Sequence, residues 1–328
     1  MGYIELGLIS FLVSLWLTWG FVRAARRFGW GQHIRDFGPT IHAKKEGTPT
    51  MGGSVILVTF VSIGLLACSE GPSPQALLLL GATLGSGLIG LADDLIGLMN
   101  KRSLGLLIRW KLLLQLGLAL ALFFGGRLAH VPAAMIVPFT DIRLELAPLP
   151  YALLVVFTLL GTVNAMNLTD GLDGLAAGTT LIMLLPLLWW LRGDPELVGL
   201  VMIFTGALLG FLWFNFYPAR VFLGDTGSQA LGGFIAMLAL LSGTALVLPL
   251  LGGVLVIEAL SVILQVASYK LFELRIFKVS PLHHHFERAE GVDYKFLLPN
   301  RELPEPGITV RFWIAAALFA LLGWWALS

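Results

Sequence analysis

Charge is scarce in this chain. Only 12% of its 328 residues are Asp, Glu, Lys or Arg, while 57% are hydrophobic and the mean hydropathy is +0.86. Soluble domains carry about a quarter charged residues, so a soluble globular protein is excluded and the bilayer is the solvent. Cysteine is nearly absent as well. The single one, Cys68, lies inside an apolar run with no intrachain partner, so there is no disulfide framework, and we read it as packing. No fixed-period repeat, low-complexity tract or long linker is found, and 1–328 reads as one membrane domain. Period-2 alternation is missing too. The apolar runs are continuous, which selects spanning helices of about 20 residues over barrel strands of about ten. The first run, Tyr3 to Val22, has no basic segment before it and no small-residue cleavage site after it. It is expected to remain as the first span.

Reading apolar runs between polar breaks gives an all-α bundle of ten transmembrane helices, at 3–22, 52–68, 75–92, 110–125, 149–165, 175–191, 197–214, 229–242, 247–268 and 311–327. The loops then alternate sides. Of the 21 Lys and Arg, all but Arg127, Arg143 and Arg192 fall around 23–51, 93–111, 166–174, 215–228 and 269–311. The bias of basic residues toward cytoplasmic loops puts that group inside and both termini outside. The net charge of +1 says nothing about nucleic acid, and no nucleic-acid partner is expected. On the outer side, 126–148 has the prolines and alternating polar residues of a small hairpin, and carries no chemistry.

Acids that interrupt apolar sequence gather on the inner side: Asp93 and Asp94, Asp170 and Asp173, and Asp225. Ionised groups near membrane depth cost several kcal/mol unless paired or hydrated. One such Asp is readily an interfacial charge or a helix cap, but five at helix mouths are not easily explained that way. Asp93-Asp94 closes a span, and adjacent carboxylates repel unless a cation is near. Magnesium takes one or two carboxylates together with substrate phosphates. The stretch Asn164-Ala-Met-Asn-Leu-Thr-Asp-Gly-Leu-Asp-Gly places amides and acids at short helical spacing, suiting a nucleoside or a metal. Gly224-Asp225-Thr226-Gly227-Ser228 looks like a turn entering a helix N-terminus, where backbone amides favour phosphate and Asp225 can hold a cation. Asn215 and Phe222 flank it, and Phe222 offers a ring to a base or an anchor to the membrane interface.

His283-His284-His285 precede Phe286 and Glu287. A zinc site is the alternative reading, but adjacent histidines point in different directions and no cysteine completes a zinc set, so phosphate contact or proton handling is favoured. Ahead of the second span, His42-Ala-Lys-Lys-Glu-Gly-Thr-Pro-Thr-Met-Gly-Gly offers Lys44, Lys45, Thr48 and Thr50 as phosphate donors, or as inside-rule charges for the lysines. Pro186, Pro249 and the intramembrane Glu258 fit a competing class, a transporter or flippase. Against it, the acids lie at one face and no matching halves are visible.

Five motifs in order resemble the phospho-N-acetylmuramoyl-pentapeptide-transferase family, a branch of the polyprenyl-phosphate N-acetylhexosamine-1-phosphate transferases: Gly47-Thr-Pro-Thr-Met-Gly-Gly, Asp93-Asp94, Asn167-Leu-Thr-Asp-Gly-Leu-Asp-Gly, Phe222-Leu-Gly-Asp-Thr-Gly-Ser and His283-His-His-Phe-Glu. The likeness covers nearly the whole chain, and the uninterrupted triple histidine points to the muramoyl branch over relatives using UDP-N-acetylglucosamine. It implies transfer of phospho-N-acetylmuramoyl-pentapeptide from UDP to undecaprenyl phosphate, giving lipid I and UMP, at the inner face of a bacterial cytoplasmic membrane and with Mg2+ as cofactor. A homodimer is left open. The resemblance further implies Asp225 as the metal ligand, with Asp93, Asp94 and His283 catalytic, the Asp pair positioning or deprotonating the prenyl phosphate. Substrate contacts are expected from Lys45, Thr50, Lys111, Asn164, Asn167, Asp170, Asp173, Asn215, Phe222, Gln265, His284 and His285. One departure stands out: many members carry a lysine three residues after the Asp pair, where this chain has Gly97, so phosphate charge falls instead to Lys101, Arg102, Arg109 or Lys111.

Overall fold

Inside a bilayer the backbone must bond to itself, and this chain does so as helix. The computed structural model describes residues 2–29, 47–68, 71–100, 105–288 and 294–328, and is 73% helical. The helices are α1 (Tyr3–Phe28), α2 (Gly53–Ala67), α3 (Pro74–Met99), α4 (Ile108–Leu128), α5 (Pro148–Thr169), α6 (Leu175–Trp190), α7 (Pro195–Asn215), α8 (Gly224–Leu241), α9 (Leu248–Leu251), α10 (Gly253–Phe272), α11 (Leu282–His285) and α12 (Glu305–Leu327). Between α4 and α5 a hairpin pairs β1 (Ala134–Ile136) antiparallel to β2 (Arg143–Glu145), with Met135 opposite Leu144. This is the hairpin expected within 126–148.

Helix starts follow capping chemistry. Ser73 Oγ accepts from Ala76 N at 3.1 Å before α3, and Asp194 Oδ1 accepts from Leu197 N at 3.1 Å before α7, each followed by a proline that needs no donor. Among the described residues, eight helices are long and apolar enough to cross a membrane: α1, α3, α4, α5, α6 with the 3-10 turn that follows it, α7, α10 and α12. Their outward faces carry large exposed apolar side chains such as Leu12 and Trp16 on α1, Phe157 on α5 and Leu318 on α12. The neighbouring pair α1 and α7 is stitched by Ser10 and Ser14, whose hydroxyls donate to Ile203 O and Ala207 O, both at 2.6 Å.

The central helix is α8, buried without interruption from Thr226 to Leu240. Surrounded by protein rather than lipid, it has no need of an all-apolar surface, which is why it tolerates Thr226, Ser228 and Gln229. It packs chiefly on α3 and α5. Its approach to α2 is close enough that a Cβ on Gly53 would lie 2.0 Å from Gly227 Cα.

Several span boundaries differ from the sequence reading, α1 running on to Phe28 and α8 and α12 starting early, at Gly224 and Glu305. The run ending at 92 continues as α3 through both acids to Met99, because Leu95-Ile96-Gly97-Leu98-Met99 still favours helix, and Asp93 and Asp94 lie inside a helix rather than at its exit. The run 247–268 divides at Gly252 into α9 and α10. The second span lies where expected, α2 with its 15 residues falling within 52–68. Tyr3 packs near Gly199 at the start of α7, and Phe139 N donates to Ala326 O at 2.9 Å, so both terminal helices reach the same end of the bundle as the hairpin.

Candidate active site

At the opposite end, α3, α4, α5 and α8 bring one polar group each to a common point. Lys111, in the first turn of α4, donates from Nζ to Asp225 Oδ2 and lies 3.8 Å from Asp93 Oδ2. Asn167, near the end of α5, donates from Nδ2 to Asp225 Oδ1 at 2.8 Å and to Ser228 Oγ at 2.9 Å. Asp93 Oδ1 accepts from Leu106 N at 2.7 Å, fastening the chain that follows α3. Two carboxylates thus face one ammonium from elements far apart in sequence.

Asp94 does a different job. Its Oδ1 accepts from Asp225 N at 3.1 Å, and its Oδ2 from Thr226 N at 2.8 Å and Thr226 Oγ1 at 2.6 Å. The N-terminus of α8, expected to seat a phosphate, is therefore capped by a carboxylate from α3, which suits its positive dipole end and its unpaired amides. Gly224 opens the helix at φ +73°, a left-handed conformation that a side chain would resist, and a Cβ there would lie 2.8 Å from Asp94 Oδ2.

A backbone clasp holds the turn before α2 against this corner. Phe222 N donates to Pro49 O at 2.7 Å, Gly52 N to Phe222 O at 2.9 Å and Gly53 N to Leu223 O at 2.9 Å. It brings Thr50 beside Gly224. Under the cluster runs an amide ladder: Asn164 Nδ2 donates to Gln115 Oε1 at 2.8 Å, and Gln115 Nε2 to Gln229 Oε1 at 3.1 Å. Gln115 and Gln229 were not expected. Their signal was available, since each follows a site residue by four positions, Lys111 and Asp225, and so shares its helix face.

A second layer adjoins. Asp173, 3% exposed, accepts from Ala219 N at 2.9 Å through Oδ2, and its own N–H donates to Glu305 Oε1 at 2.9 Å. Asn215 Nδ2 donates to Val221 O at 3.0 Å, shaping the loop that carries Phe222. Asp170 ends α5, its N–H bonded to Met166 O at 3.1 Å. The three histidines take three directions. His283 meets Glu258, His284 Nδ1 lies 2.5 Å from Glu287 Oε2, and His285 Nδ1 accepts from Lys278 N at 3.0 Å. Burial lowers the pKa of His284, with the neighbouring His283 adding to the effect and Glu287 opposing it. Burial also lowers that of His285, with the Lys278 charge in the same direction. Gln265 is spent on backbone: its Oε1 accepts from Ile276 N at 3.1 Å and Phe277 N at 2.9 Å. It holds the histidine segment rather than joining the Asp225 cluster.

Thr50, Asp93, Asp94, Lys111, Asn167 and Asp225 are therefore gathered at one corner, with Asn164 beneath and Asp170, Asp173 and the histidines beside it. Lys45, Lys101 and Arg102 lie outside the described residues. Of the two remaining candidates for phosphate charge, Arg109 sits 5.7 Å over the Trp110 ring while Lys111 enters the cluster.

The family model for glycosyl transferase family 4 matches residues 76–243, from the first turn of α3 through α8. Phospho-N-acetylmuramoyl-pentapeptide-transferases of Geobacillus sp. (strain WCH70) and Shouchella clausii (strain KSM-K16) are each 43% identical to this chain, over 96% of it and 95% and 94% of their own lengths; that of Bacillus pumilus (strain SAFR-032) is 42% identical, over 96% and 95%. The chain belongs to the phospho-N-acetylmuramoyl-pentapeptide-transferase family. The shared length runs past the family-model segment at both sides, so it includes α1 and α2 as well as the histidine turn and α12. The Asp225 corner and the histidine layer thus both fall inside what this transferase has in common with its relatives.

Proposed function

We propose that this chain transfers phospho-N-acetylmuramoyl-pentapeptide from its UDP carrier to undecaprenyl phosphate, forming lipid I and UMP, the first membrane step of peptidoglycan synthesis. The observation that carries the reading is the convergence of Asp93, Lys111, Asn167 and Asp225 from four helices at the end of the bundle where the basic loops lie. By the basic-residue bias that end faces the bacterial cytoplasm, where a UDP-linked donor is found. Counting α2 and α8 with the eight long apolar helices gives ten crossings, and both termini then lie outside.

In the reaction an oxygen of the prenyl phosphate bonds to the sugar-bearing phosphorus, the bond from that phosphorus to the bridging oxygen breaks, and UMP leaves with that oxygen and its electron pair. Several negative charges meet, so positioning and neutralisation dominate. The donor set fits Mg2+: Asp225 and Asp93 offer hard carboxylate oxygens, and the Lys111 ammonium already lies between them as a cation would. Bound there, Mg2+ would neutralise phosphate oxygens. Lys111 supplies positive charge to the same oxygens. Asn167 orients Asp225, and Asp94 keeps the Asp225 turn in register by capping α8. Asp170 and Asp173 hold the uridine side of the donor. A prenyl phosphate monoester, with a second pKa near 6, needs little help in losing its proton.

UMP release from UDP-N-acetylmuramoyl-pentapeptide and undecaprenyl phosphate with Mg2+ tests this directly. UDP-N-acetylglucosamine should react at least about a hundredfold more slowly, because the smaller donor leaves polar groups of the site unpaired. Rates within a few-fold of each other would move the chain to the N-acetylglucosamine branch. No UMP from either donor would reopen the transporter reading.

A further inference from the structure

Glu258 sits in α10, wholly buried, and nothing in the phosphoryl-transfer chemistry uses it. Acids inside a span are rare and are functional by default. Its Oε1 is 3.2 Å from His283 N, which donates to it, and 3.2 Å from His283 Nδ1. The ring of His283 is also wholly buried, and neither ring nitrogen makes a hydrogen bond among the described residues, Nδ1 lying near Glu258 Oε1 without hydrogen-bond geometry. Nε2 presses on the Asp170–Asp173 turn: a Cβ on Gly171 would lie 2.0 Å from it. One face of α10 is apolar and exposed, with Ile257, Leu260 and Leu264 on it. Its inward stripe of Glu258, Ser261 and Gln265 is polar, and Gln265 is committed to Ile276 and Phe277 of the same segment that carries the histidines.

We propose that Glu258 is a positioning residue for donor binding, acting through His283 to set the spacing between the histidine turn and the Asp170–Asp173 turn. A negative charge 3.2 Å from Nδ1 favours a proton on that nitrogen over one on Nε2, which then faces Gly171 bare. The imidazole becomes a spacer of fixed length between α10 and the turn. The same carboxylate oxygen, by holding His283 N, fixes where α11 begins and so where His284 and His285 stand. This inference rests on the transferase reading of the site, since it is the UDP-linked donor that the two turns embrace.

The test is kinetic, on the full chain in nanodiscs, with E258Q, H283Q, the double variant and G171A. E258Q keeps an acceptor for His283 N but loses the charge that selects the tautomer. It should raise the donor KM at least about tenfold while leaving the KM for undecaprenyl phosphate and the melting temperature unchanged, a split that a merely structural loss would not produce. H283Q should do the same, and the double variant should be no worse than either single one. A donor KM for E258Q within twofold of wild type, or a double variant equal to the product of the singles, overturns the inference. Should E258Q fail to fold, G171A decides, since its methyl displaces Nε2 with Glu258 intact; an unchanged donor KM there is equally fatal. UMP affinity measured by calorimetry gives the same comparison without turnover. Wild type serves as the reference: if it releases no UMP the transferase reading falls, whereas normal wild type beside an unaffected E258Q removes only this proposal.

Discussion

Asp94 and Asp225 are carboxylates with different neighbours, so their amide variants should separate. Asp225→Asn removes a charge that faces Lys111 and Asn167 while keeping the side-chain volume. Turnover should fall more than about a thousandfold, several kcal/mol of lost transition-state stabilisation, with the protein still folded and extractable. Activity within tenfold of wild type would remove Asp225 from that role. Asp94→Asn instead weakens three hydrogen bonds at the start of α8. Each such charged bond contributes about 1.5–3 kcal/mol, so this variant should lose stability as well as activity, which a thermal-shift assay in detergent would show. The acids themselves were legible as polar breaks in apolar sequence. Asp94 as a cap was not, because the amides it holds lie 132 residues away and nothing local marks them. Lys111 was one of four candidates to replace the lysine absent at Gly97, and only the fold separates it from Arg109.

At the scale of elements, α8 is held by contacts too close for side chains. Gly53→Ala puts a methyl into Gly227, backbone against backbone, so α2 and α8 must separate and carry Asp225 away from Lys111. Activity and melting temperature should both drop, by about 1–3 kcal/mol for overpacking. Gly81→Ala is the control, since its Cβ meets only Leu122 Cδ2 at 4.0 Å and should change neither. A Gly53→Ala protein as active and stable as the control would show that the two helices have slack. Helix type and approximate position were readable from apolar runs. The ends were not: hydropathy stops at the first charge, whereas α3 runs on through Asp93 and Asp94, and the break at Gly252 lies inside an unbroken apolar run. The burial of α8 was not readable either, because a span wrapped in protein and one facing lipid share much of their composition.

For the whole molecule, acid is the condition to which the histidine layer should respond. His284 and His285 are both held below the ordinary histidine value near 6.5. Between the two values the unfolded chain binds protons that the folded one does not. Their contribution to stability is therefore complete above about pH 6.5 and is lost as pH falls through the lowered folded values. Melting temperature should be flat from about pH 8 to 7 and decline below about 6.5, and replacing both residues by Gln should flatten that decline; an equal decline in the double variant would place the sensitivity elsewhere. Other consequences follow from the order in which the chain is made. Asp93 and Asp94 enter the membrane with α3, and the Asp225 turn that Asp94 caps comes 132 residues later. At about 5–20 residues per second that gap lasts roughly 7–26 s. Throughout it the two acids have neither Lys111's pairing with Asp225 nor the α8 amides to satisfy them, so the end of α3 must stay in water while four more helices are inserted. Ribosome-bound chains halted just before Gly224 should therefore label a cysteine placed at position 94 faster with a water-soluble reagent than the finished protein does, where that side chain lies against the α8 amides. The Asp225 corner thus closes only when α8 arrives, and a cell that surveys unfinished membrane proteins would find its signal there.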